Sequence, residues 1–415
     1  MVQAAGLHPS RITLKLPHSA HRRLVPSLSR QLNTANYNAP TLDDPLRPTR
    51  VEVSLDALTR NLATIRAHIN GAKVMAVIKA NAYGHGLLPV AHHLMQNGAD
   101  SLGVAFLEEG IALRNAGITT PILVFGGIGE KQVPLFIQPQ LSLTAPSIEK
   151  LRLIDEAAAA LGTTASVHLK IDTGMERIGM HWYSAEKLLA ASLTCRHTRV
   201  EGIYSHFANA DAAPHDLAHA RLQLERFLEL LTFYDQRSLP TPTRHIANSG
   251  AILQLPDAHL DLVRPGILLY GVYPSTECAQ TFPVTPALSL KSRVAFFKVV
   301  KSGNPVSYGS TWTPTHDTRV VTLPVGYGDG YFRAFSNQSH VLIHGQRHPV
   351  VGRVCMDQTM VNLGPDGTAY NGDEVILLGT QENETITAAE LAELARTIPY
   401  EILTNLNTRI PRIYR

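Results

Sequence analysis

A lysine stands at the end of the first long apolar run of this sequence. The run Val74–Ile78 leads directly into Lys79, and Tyr83 follows four residues later among small residues. Burying an ammonium group at a strand end is costly unless a partner or a covalent bond removes the charge. One use of such a lysine is a covalent link to an aldehyde cofactor, with the pKa of the amine lowered by the site. The alternative is a lysine that extends its amine into solvent.

Four more polar clusters follow apolar runs later in the chain. They are Lys170-Ile171-Asp172, Ser205-His206, Asn248-Ser249-Gly250 and Arg264-Pro265-Gly266. Ser249 and Gly266 mark two loops where backbone N–H groups could approach an anion, and Ser249 is a candidate cap for a helix that begins at Gly250. A lysine that takes an aldehyde, combined with a phosphate cradle, implies pyridoxal 5′-phosphate (PLP).

Arg264 narrows the chemistry further. Many PLP enzymes place a carboxylate against the pyridine nitrogen and so keep it protonated, but an arginine cannot accept that proton. If Arg264 faces the nitrogen, the ring withdraws fewer electrons, which favours rapid return of a proton to Cα over transamination. The alternative is an arginine held in an ion pair at the rim of the fold.

The elements that position these clusters alternate along the chain from residue 50. Eight short apolar runs are separated mostly by helical patterns, and the runs are Val74–Ile78, Leu102–Phe106, Pro121–Phe125, Leu141–Thr144, Ser166–Ile171, Arg199–His206, Arg244–Ala247 and Leu262–Val263. This alternation predicts an α/β fold with a (β/α)8 TIM-type barrel over residues 49–285. Functional groups gather at the C-terminal ends of barrel strands, which is where the polar clusters fall.

Residues 286–415 have a different sequence pattern. Strand-like runs with turn residues dominate, beginning with Ser292–Val300, and one good helical pattern follows at Ala388–Arg396. This pattern predicts a C-terminal, mostly β domain. A racemase needs two bases on opposite faces of the Cα carbanion, and Tyr308 in this domain is a candidate to complement Lys79. The alternative for Tyr308 is a tyrosine that lines a turn.

Composition excludes several classes of protein. Residues 1–48 hold six of the 37 Lys/Arg and two of the 34 Asp/Glu, which leaves a nearly neutral body and no support for a nucleic-acid partner. No apolar run approaches the roughly 18 residues that span a bilayer, so we expect no membrane partner. Three scattered cysteines exclude a disulfide framework and indicate a reducing, cytoplasmic setting. We expect no metal site, because the histidines lack chelating spacing.

The basic N-terminal extension, residues 1–48, carries no function in this interpretation. Before Asp43 it has no acidic residue, and it lacks the continuous apolar segment of a secretory signal. It is expected to be disordered. A targeting segment and an upstream start codon are the other interpretations.

The segments that carry these residues resemble alanine racemases, the barrel-type (fold type III) PLP enzymes. The similar segments are Ile78–Gly86, Lys170–Gly179, Ser205–Ala208, Arg264–Ile267, Val306–Gly309, Arg353–Asp357, Pro399–Glu401 and Arg409–Arg412. The resemblance runs from about Arg50 to the C-terminus, in family order and spacing. It departs at Gly250, where alanine is usual, and in the stretch 404–407, neither of which is a proposed catalytic group.

The resemblance implies the role of each site residue. Lys79 would hold PLP and act on D-alanine, and Tyr308 would act on L-alanine from the partner subunit of a head-to-tail homodimer with shared active sites. The cofactor would be held by Tyr83, Ser249, Gly266, Ile267 and Tyr400 at the phosphate and by Arg264, braced by His206, at the ring. Arg177 and the Met356 amide would bind the substrate carboxylate. Lys170 matches a lysine that is carbamylated in some members. The substrate entrance would be lined by Asp211, Arg333, Arg353 and Ile398.

The implied activity is PLP-dependent interconversion of L-alanine and D-alanine, supplying D-alanine for peptidoglycan or serving alanine catabolism. Two alternatives remain open. One is a racemase of the same fold with broader specificity or with serine as substrate, because one methylene is worth only about 1–3 kcal/mol in a pocket. The other is a non-catalytic PLP-binding homeostasis protein, a barrel without the C-terminal domain.

Overall fold

The computed structural model describes residues 47–415. The extension predicted over residues 1–48 therefore lies almost entirely outside the described residues. Within residues 47–415, no helix is long and apolar enough to cross a membrane.

Eight parallel strands form the first part of the fold. In spatial order they are Leu262–Val263, Lys73–Val77, Ser101–Val104, Ile122–Val124, Ser142–Ala145, Ala165–Asp172, Thr198–Tyr204 and Thr243–His245, and the two-residue strand Met180–His181 pairs beside Ala165–Asp172. Strands such as Ser101–Val104 and Ser142–Ala145 are buried along their whole length, as expected where helices cover a parallel sheet.

Two backbone hydrogen bonds join the ends of this sheet. The Asp261 N–H donates to the Arg244 carbonyl at 3.2 Å, and the Arg264 N–H donates to the Ala247 carbonyl at 3.0 Å. Inside the ring, a separate apolar cluster of Met75, Leu123, Tyr204 and Leu262 fills the interior. The predicted barrel is therefore confirmed.

Helices follow most of the strands and cover the outside. Their bounds are Leu55–Ala67, Leu87–Gln96, Leu107–Asn115, Val133–Ile137, Ile148–Ala160, Glu186–Ser192, Ala218–Asp235 and Ser249–Gln254. Leu55–Ala67 shows why they form. The Ser54 hydroxyl accepts the Ala57 N–H at 3.2 Å at its start, and its buried residues recur every three or four positions.

The second part of the fold is mostly β, as predicted. One sheet has the order Gln346–Pro349, His340–Ile343, Glu374–Gln381, Leu288–Arg293, Arg50–Val53, Arg412–Tyr414, with Glu384–Ile386 paired to Glu374–Gln381. A second sheet has Phe296–Val300, Thr318–Leu323 and Thr359–Gly364. The helices Ala388–Ala395 and Pro399–Thr404 follow. The N-terminal strand Arg50–Val53 thus belongs to the sheet of the C-terminal part.

The predicted single strand Ser292–Val300 is wrong. It is divided between Leu288–Arg293 and Phe296–Val300, which lie in different sheets. The Val294 N–H donates to the Asp373 carbonyl, and the next N–H, from Ala295, donates to the Thr322 carbonyl. Consecutive residues therefore bond to different neighbours, and no apolar pattern records such a change.

Candidate active site

A cavity of about 160 Å³ lies at the C-terminal end of the barrel strands. Nine of the predicted site residues line it, and they are Lys79, Tyr83, Lys170, Arg177, His206, Ser249, Arg264, Gly266 and Tyr400. Eight of them come from separate loops and strand ends that the closed barrel brings together, and Tyr400 comes from the helix Pro399–Thr404 of the C-terminal part.

The lysine is presented by an unusual backbone turn. Ala80, Asn81, Ala82 and Tyr83 all have φ between 51° and 55°, so the segment Lys79–Tyr83 forms a left-handed helical turn without glycine. This conformation costs roughly 1–2 kcal/mol per residue for L-amino acids, so surrounding bonds must hold it. The Asn81 side chain accepts the Leu87 N–H at 2.8 Å, and the Ala80 N–H donates to Glu109 at 2.7 Å.

Glu109 holds this turn from the helix Leu107–Asn115, which follows the neighbouring strand Ser101–Val104. One carboxylate oxygen accepts the Ala80 N–H, and the other accepts the N–H groups of Ala105 and Phe106 at 2.8 and 3.2 Å. The side chain is buried. The next barrel strand thus fixes the position of Lys79, because the carboxylate bridges the two strand ends.

The electrostatics of the cavity favour the neutral form of Lys79. Burial lowers the pKa of its amine, and the charges of Arg177 and Arg264 lower it further, against an opposing effect of Glu109. In the described part of the chain, no carboxylate lines the cavity, whereas Lys79, Lys170, Arg177 and Arg264 all do. The site is therefore suited to a ligand that carries several negative charges.

Ser249 and Gly266 form a small polar cradle on one side. The Ser249 hydroxyl accepts the N–H groups of Gly266 and Leu268 at 3.0 and 3.3 Å. A Cβ on Gly266 would lie 2.4 Å from the Tyr83 hydroxyl, so only glycine permits this close approach. Ser249 is not the helix cap that we predicted. Asn248 caps the helix, since its side chain accepts the Ala251 N–H at 3.1 Å.

Arg264 is held by more groups than predicted. Its guanidinium donates to the Ser205 and Ile246 carbonyls at 2.8 and 3.0 Å and lies 3.3 Å from Nδ1 of His206. A shorter contact of 2.9 Å joins it to Nδ1 of His245. Burial lowers the pKa of Arg264 to about 10, so it remains a cation at neutral pH.

His245 continues this contact into a chain of histidines below the cavity. Its Nε2 lies 2.9 Å from Nδ1 of His168, whose Nε2 lies 4.0 Å from the Glu201 carboxylate. Burial lowers the pKa of His245 and His168, so both rings are neutral. Because Arg264 can only donate, His245 carries its proton on Nε2 and His168 carries its proton on the side of Glu201. The ring protons of His245 and His168 therefore both point away from Arg264.

The buried histidines predict a pH dependence of stability. Burial lowers the pKa of His85 and His168 from 6.5 to about 4. These histidines are protonated at a higher pH in the unfolded chain than in the folded chain. The stabilisation is therefore complete above pH 6.5 and is lost as the pH falls toward 4, by roughly 3 kcal/mol for each histidine. We expect the urea midpoint to fall steeply across this range. An unchanged midpoint would contradict the assignment. Replacing exposed His92 with alanine is the control and should leave the slope unchanged.

Lys170 and Arg177 also line the cavity. Lys170 is buried, its amine donates to the Ile171 carbonyl at 3.3 Å, and it lies 4.8 Å above the Tyr204 ring. Burial lowers its pKa, and Arg264 lowers it further. Burial alone would raise the pKa of Asp172, but N–H donors of the following loop, including that of Arg177, lower it overall. Asp172 thereby positions the loop of Arg177.

The remaining predicted residues do not line this cavity. They are Tyr308, Met356, Ile267, Asp211, Arg333, Arg353 and Ile398. Ile267 is buried directly after Gly266, whereas Tyr308, Met356 and Ile398 are 72%, 53% and 56% exposed. Ser307, the residue before Tyr308, donates to the Arg353 carbonyl at 2.7 Å, so Arg353 is bonded to the neighbour of Tyr308 in the β domain.

Sequence reasoning missed three residues that shape the site. Glu109 lies on a helix where acidic residues are ordinary, and its burial is visible only in the fold. Tyr204 and His245 are the last residues of the strands Thr198–Tyr204 and Thr243–His245, with their rings stacked 4.8 Å apart. A histidine at the end of a barrel strand was the available signal, since buried histidines need hydrogen-bond partners.

Comparison with known proteins shows which family shares this arrangement. The family model described as the alanine racemase N-terminal domain matches residues 53–274, and the model of the C-terminal domain matches residues 287–414. The chain belongs to the alanine racemase family. An alanine racemase of Carboxydothermus hydrogenoformans is 46% identical over 370 residues, which cover 89% of this chain and 100% of that protein.

Solved alanine racemases also share the fold. The structure from Clostridium difficile 630 has a TM-score of 0.84 and 37% identity, and the match covers 90% of this chain and 97% of that one. The structure from Bartonella henselae, which has covalently bound pyridoxal phosphate, has a TM-score of 0.80 and 28% identity, with 89% and 99% covered.

Proposed function

We propose that this protein interconverts L-alanine and D-alanine with PLP bound at Lys79. One observation carries the proposal: a lysine whose pKa is lowered shares a cavity with the cations Arg177 and Arg264 and with a polar cradle for an anion. Both the phosphate of PLP and the carboxylate of an amino acid match this charge. The family membership supports the same activity.

The residues present fit the cofactor. Lys79 supplies the amine for its aldehyde, and Arg264 would face its ring nitrogen. The phosphate would be held by the cradle of Ser249 and Gly266, by the hydroxyls of Tyr83 and Tyr400, and by the N–H of Ile267, which begins a 3₁₀ helix and so lacks an intrahelical acceptor. When bound, PLP acts as an electron sink that acidifies the Cα hydrogen of an amino acid.

Two bases then move the proton at Cα. Lys79 takes or returns the proton on the face that D-alanine presents, because burial favours its neutral amine. Tyr308 does the same on the face that L-alanine presents. Arg264 can only donate a hydrogen bond, so it would pair with the unprotonated ring nitrogen and would not stabilise the protonated form. This arrangement favours reprotonation at Cα over transamination.

The substrate is bound through its carboxylate. Arg177 reaches the cavity from the loop that Asp172 holds, and the backbone amide of Met356 is the second donor. Asp211, Arg333, Arg353 and Ile398 would line the entrance. These roles follow from the family resemblance.

We also propose a head-to-tail homodimer in which Tyr308 and Met356 serve the cavity of the partner subunit. Both side chains are more than half exposed, and neither lines the cavity that holds Lys79. A second copy of the chain would place Tyr308 at a cavity that it does not line in its own subunit.

The free thiols Cys195, Cys278 and Cys355 suit a cytoplasmic protein.

Lys170 is expected to carry a carbamate. Its neutral amine adds to CO₂ with loss of one proton, and the resulting anion would lie among the cations Arg177 and Arg264, which share its cavity. Native protein incubated with ¹³C-bicarbonate should show a carbamate signal by NMR. The signal should vanish in Lys170→Met and persist in Lys187→Met, which changes an exposed lysine. A signal that survives Lys170→Met would assign the modification elsewhere.

A racemisation panel tests the proposed activity as a whole. Alanine, serine, lysine and arginine are each offered to the purified protein, and the enantiomers are separated by chiral chromatography. We expect alanine to react much faster than the others. Comparable rates for serine would favour a broad-specificity racemase, and no reaction with any of the four would favour a non-catalytic PLP-binding protein.

A further inference from the structure

The turn that carries Tyr308 has a strained backbone. Ser307 has φ 68° and ψ −178°, a conformation that glycine adopts easily and that other residues adopt very rarely. Gly309 and Ser310 follow with φ of 73° and 50°. Such a backbone is costly for a serine and persists only where the surrounding structure holds it. The contacts of Ser307 must therefore hold the turn.

The Ser307 hydroxyl makes the first of these contacts. It donates to the Arg353 carbonyl at 2.7 Å, which ties the turn to a separate segment of the β domain. On the backbone, the Ser307 carbonyl accepts the Ser310 N–H at 3.2 Å. The Val306 N–H donates to the Trp312 carbonyl at 2.9 Å. A glycine in place of Ser307 could keep both backbone bonds, but it could not make the bond from the side chain.

Gly352, next to Arg353, packs directly against Ser307. A Cβ on Gly352 would lie 2.7 Å from the Cβ of Ser307, so a larger residue there would displace the turn. The Gly352 N–H donates to the Asn337 side chain at 2.6 Å, and the same side chain donates to the Thr311 hydroxyl at 3.1 Å. Asn337 thus joins the segment that holds Ser307 to the end of the turn.

Tyr308 depends on this turn for its direction. Its side chain is 72% exposed, so few contacts of its own hold the ring. The direction of its Cα–Cβ bond is set by the backbone of Ser307 and Gly309 on either side. A small rotation of this backbone moves the hydroxyl more than it moves the Cα atom, because the hydroxyl lies at the far end of the ring.

We propose that Ser307 is a positioning residue, whose hydroxyl holds the strained turn that directs Tyr308 toward the Cα atom of the substrate in the partner subunit. The proposal rests on the role and the dimer proposed for Tyr308. Glycine would fit the backbone without strain, and serine adds only the hydroxyl, so the bond to Arg353 offsets the cost of the strain. A displacement of about 1 Å in a reacting group costs about a hundredfold in rate, so a loosened turn would slow this proton transfer.

The carboxylate donor proposed at Met356 is held by a different bond. The Met356 carbonyl accepts the Gly328 N–H at 2.9 Å, and this bond does not involve Ser307. Loss of the Ser307 hydroxyl should therefore disturb the proton transfer by Tyr308 and leave the proton transfer by Lys79 intact.

Exchange of the Cα hydrogen in heavy water, measured on the cofactor-loaded full-length protein, tests the proposal. Ser307→Ala removes the hydroxyl and keeps the strain. We expect exchange of L-alanine to fall at least about tenfold, because Tyr308 is displaced, and exchange of D-alanine to remain unchanged, because Lys79 serves it. A merely structural role would lower both rates together. Equal losses for the two enantiomers, or no loss for L-alanine, would overturn the proposal.

Ser307→Gly separates positioning from stability. It removes the hydroxyl and also relieves the strain, so its urea midpoint should lie above that of Ser307→Ala. Exchange of L-alanine should nevertheless fall at least as far as in Ser307→Ala. A midpoint no higher than that of Ser307→Ala, or L-alanine exchange that recovers together with the midpoint, would overturn the proposal. Ser310→Ala makes the same chemical change at an exposed position of the same turn, and this matched control should exchange both enantiomers normally.

Tyr308→Phe, measured in the same assay, distinguishes two kinds of failure. If it loses only L-alanine exchange while the Ser307 variants lose none, the proposed function stands and the positioning role fails. If it leaves L-alanine exchange unchanged, another group is the base, and the role proposed for Tyr308 fails together with that of Ser307.

Discussion

Replacing Lys79 with alanine should abolish both cofactor attachment and racemisation. In the proposed mechanism the amine bonds to the aldehyde and is also the base for one enantiomer, so one change removes two functions. We expect the rate to fall by about a thousandfold or more. The absorbance of the bound cofactor should disappear, and borohydride should no longer fix cofactor to the peptide that contains residue 79.

The control for this experiment is Lys73→Ala. Lys73 is the exposed first residue of the strand Lys73–Val77, which leads to Lys79. Its replacement removes one positive charge and does not change the lining of the cavity. This variant should keep full absorbance and activity. If Lys79→Ala retained cofactor that borohydride can fix, another lysine would hold it, and Lys170 is the other lysine in the cavity.

Replacing Tyr308 with phenylalanine should separate the two proton transfers. Without the hydroxyl, the face of Cα that L-alanine presents has no base, whereas Lys79 still serves the other face. Racemisation should fall in both directions, by about a hundredfold or more, because the equilibrium constant between the enantiomers is unchanged. In heavy water, D-alanine should still exchange its Cα hydrogen and remain D, whereas L-alanine should not exchange. Equal loss of exchange for both enantiomers would contradict the two-base scheme.

Tyr370→Phe is the matched control, since it removes another exposed tyrosine hydroxyl from the β domain. Mixed dimers then test where Tyr308 acts. A dimer of one Lys79→Ala chain and one Tyr308→Phe chain has one intact site if each site uses residues of both subunits, and none if each chain completes its own. Randomly mixed subunits should recover about a quarter of the wild-type activity. No recovery would show that Tyr308 serves its own chain.

Much of the fold and part of the site could be predicted from local patterns. Short apolar runs separated by helical patterns indicate a barrel, because only helices on the outside bury both faces of parallel strands. Lys79, Ser249 and Arg264 were found because each follows such a run, and strand ends meet at one rim. Eight of the nine predicted residues that line the cavity lie in the barrel, and Tyr400 lies in the C-terminal part.

Three features needed the fold itself. The left-handed turn of Ala80 to Tyr83 has no glycine to announce it, since bonds from Glu109 and Asn81 hold it. The chain from Arg264 through His245 to His168 crosses three strands, and its members lie 77 and 19 residues apart. Asn248 caps the helix in place of the predicted Ser249, because the Ser249 hydroxyl accepts the N–H groups of Gly266 and Leu268.

The sequence alone determined the type of fold and the family, and it predicts which lysine holds the cofactor, because periodicity and motifs are properties of neighbouring residues. The tertiary structure decided the electrostatics of the site. Burial and nearby charges lower the pKa of Lys79 and of His85, and both shifts depend on which groups the fold places nearby. Tyr308 is exposed on the β domain and does not line the cavity of Lys79, and for this reason we propose that a second copy of the chain completes the two-base site.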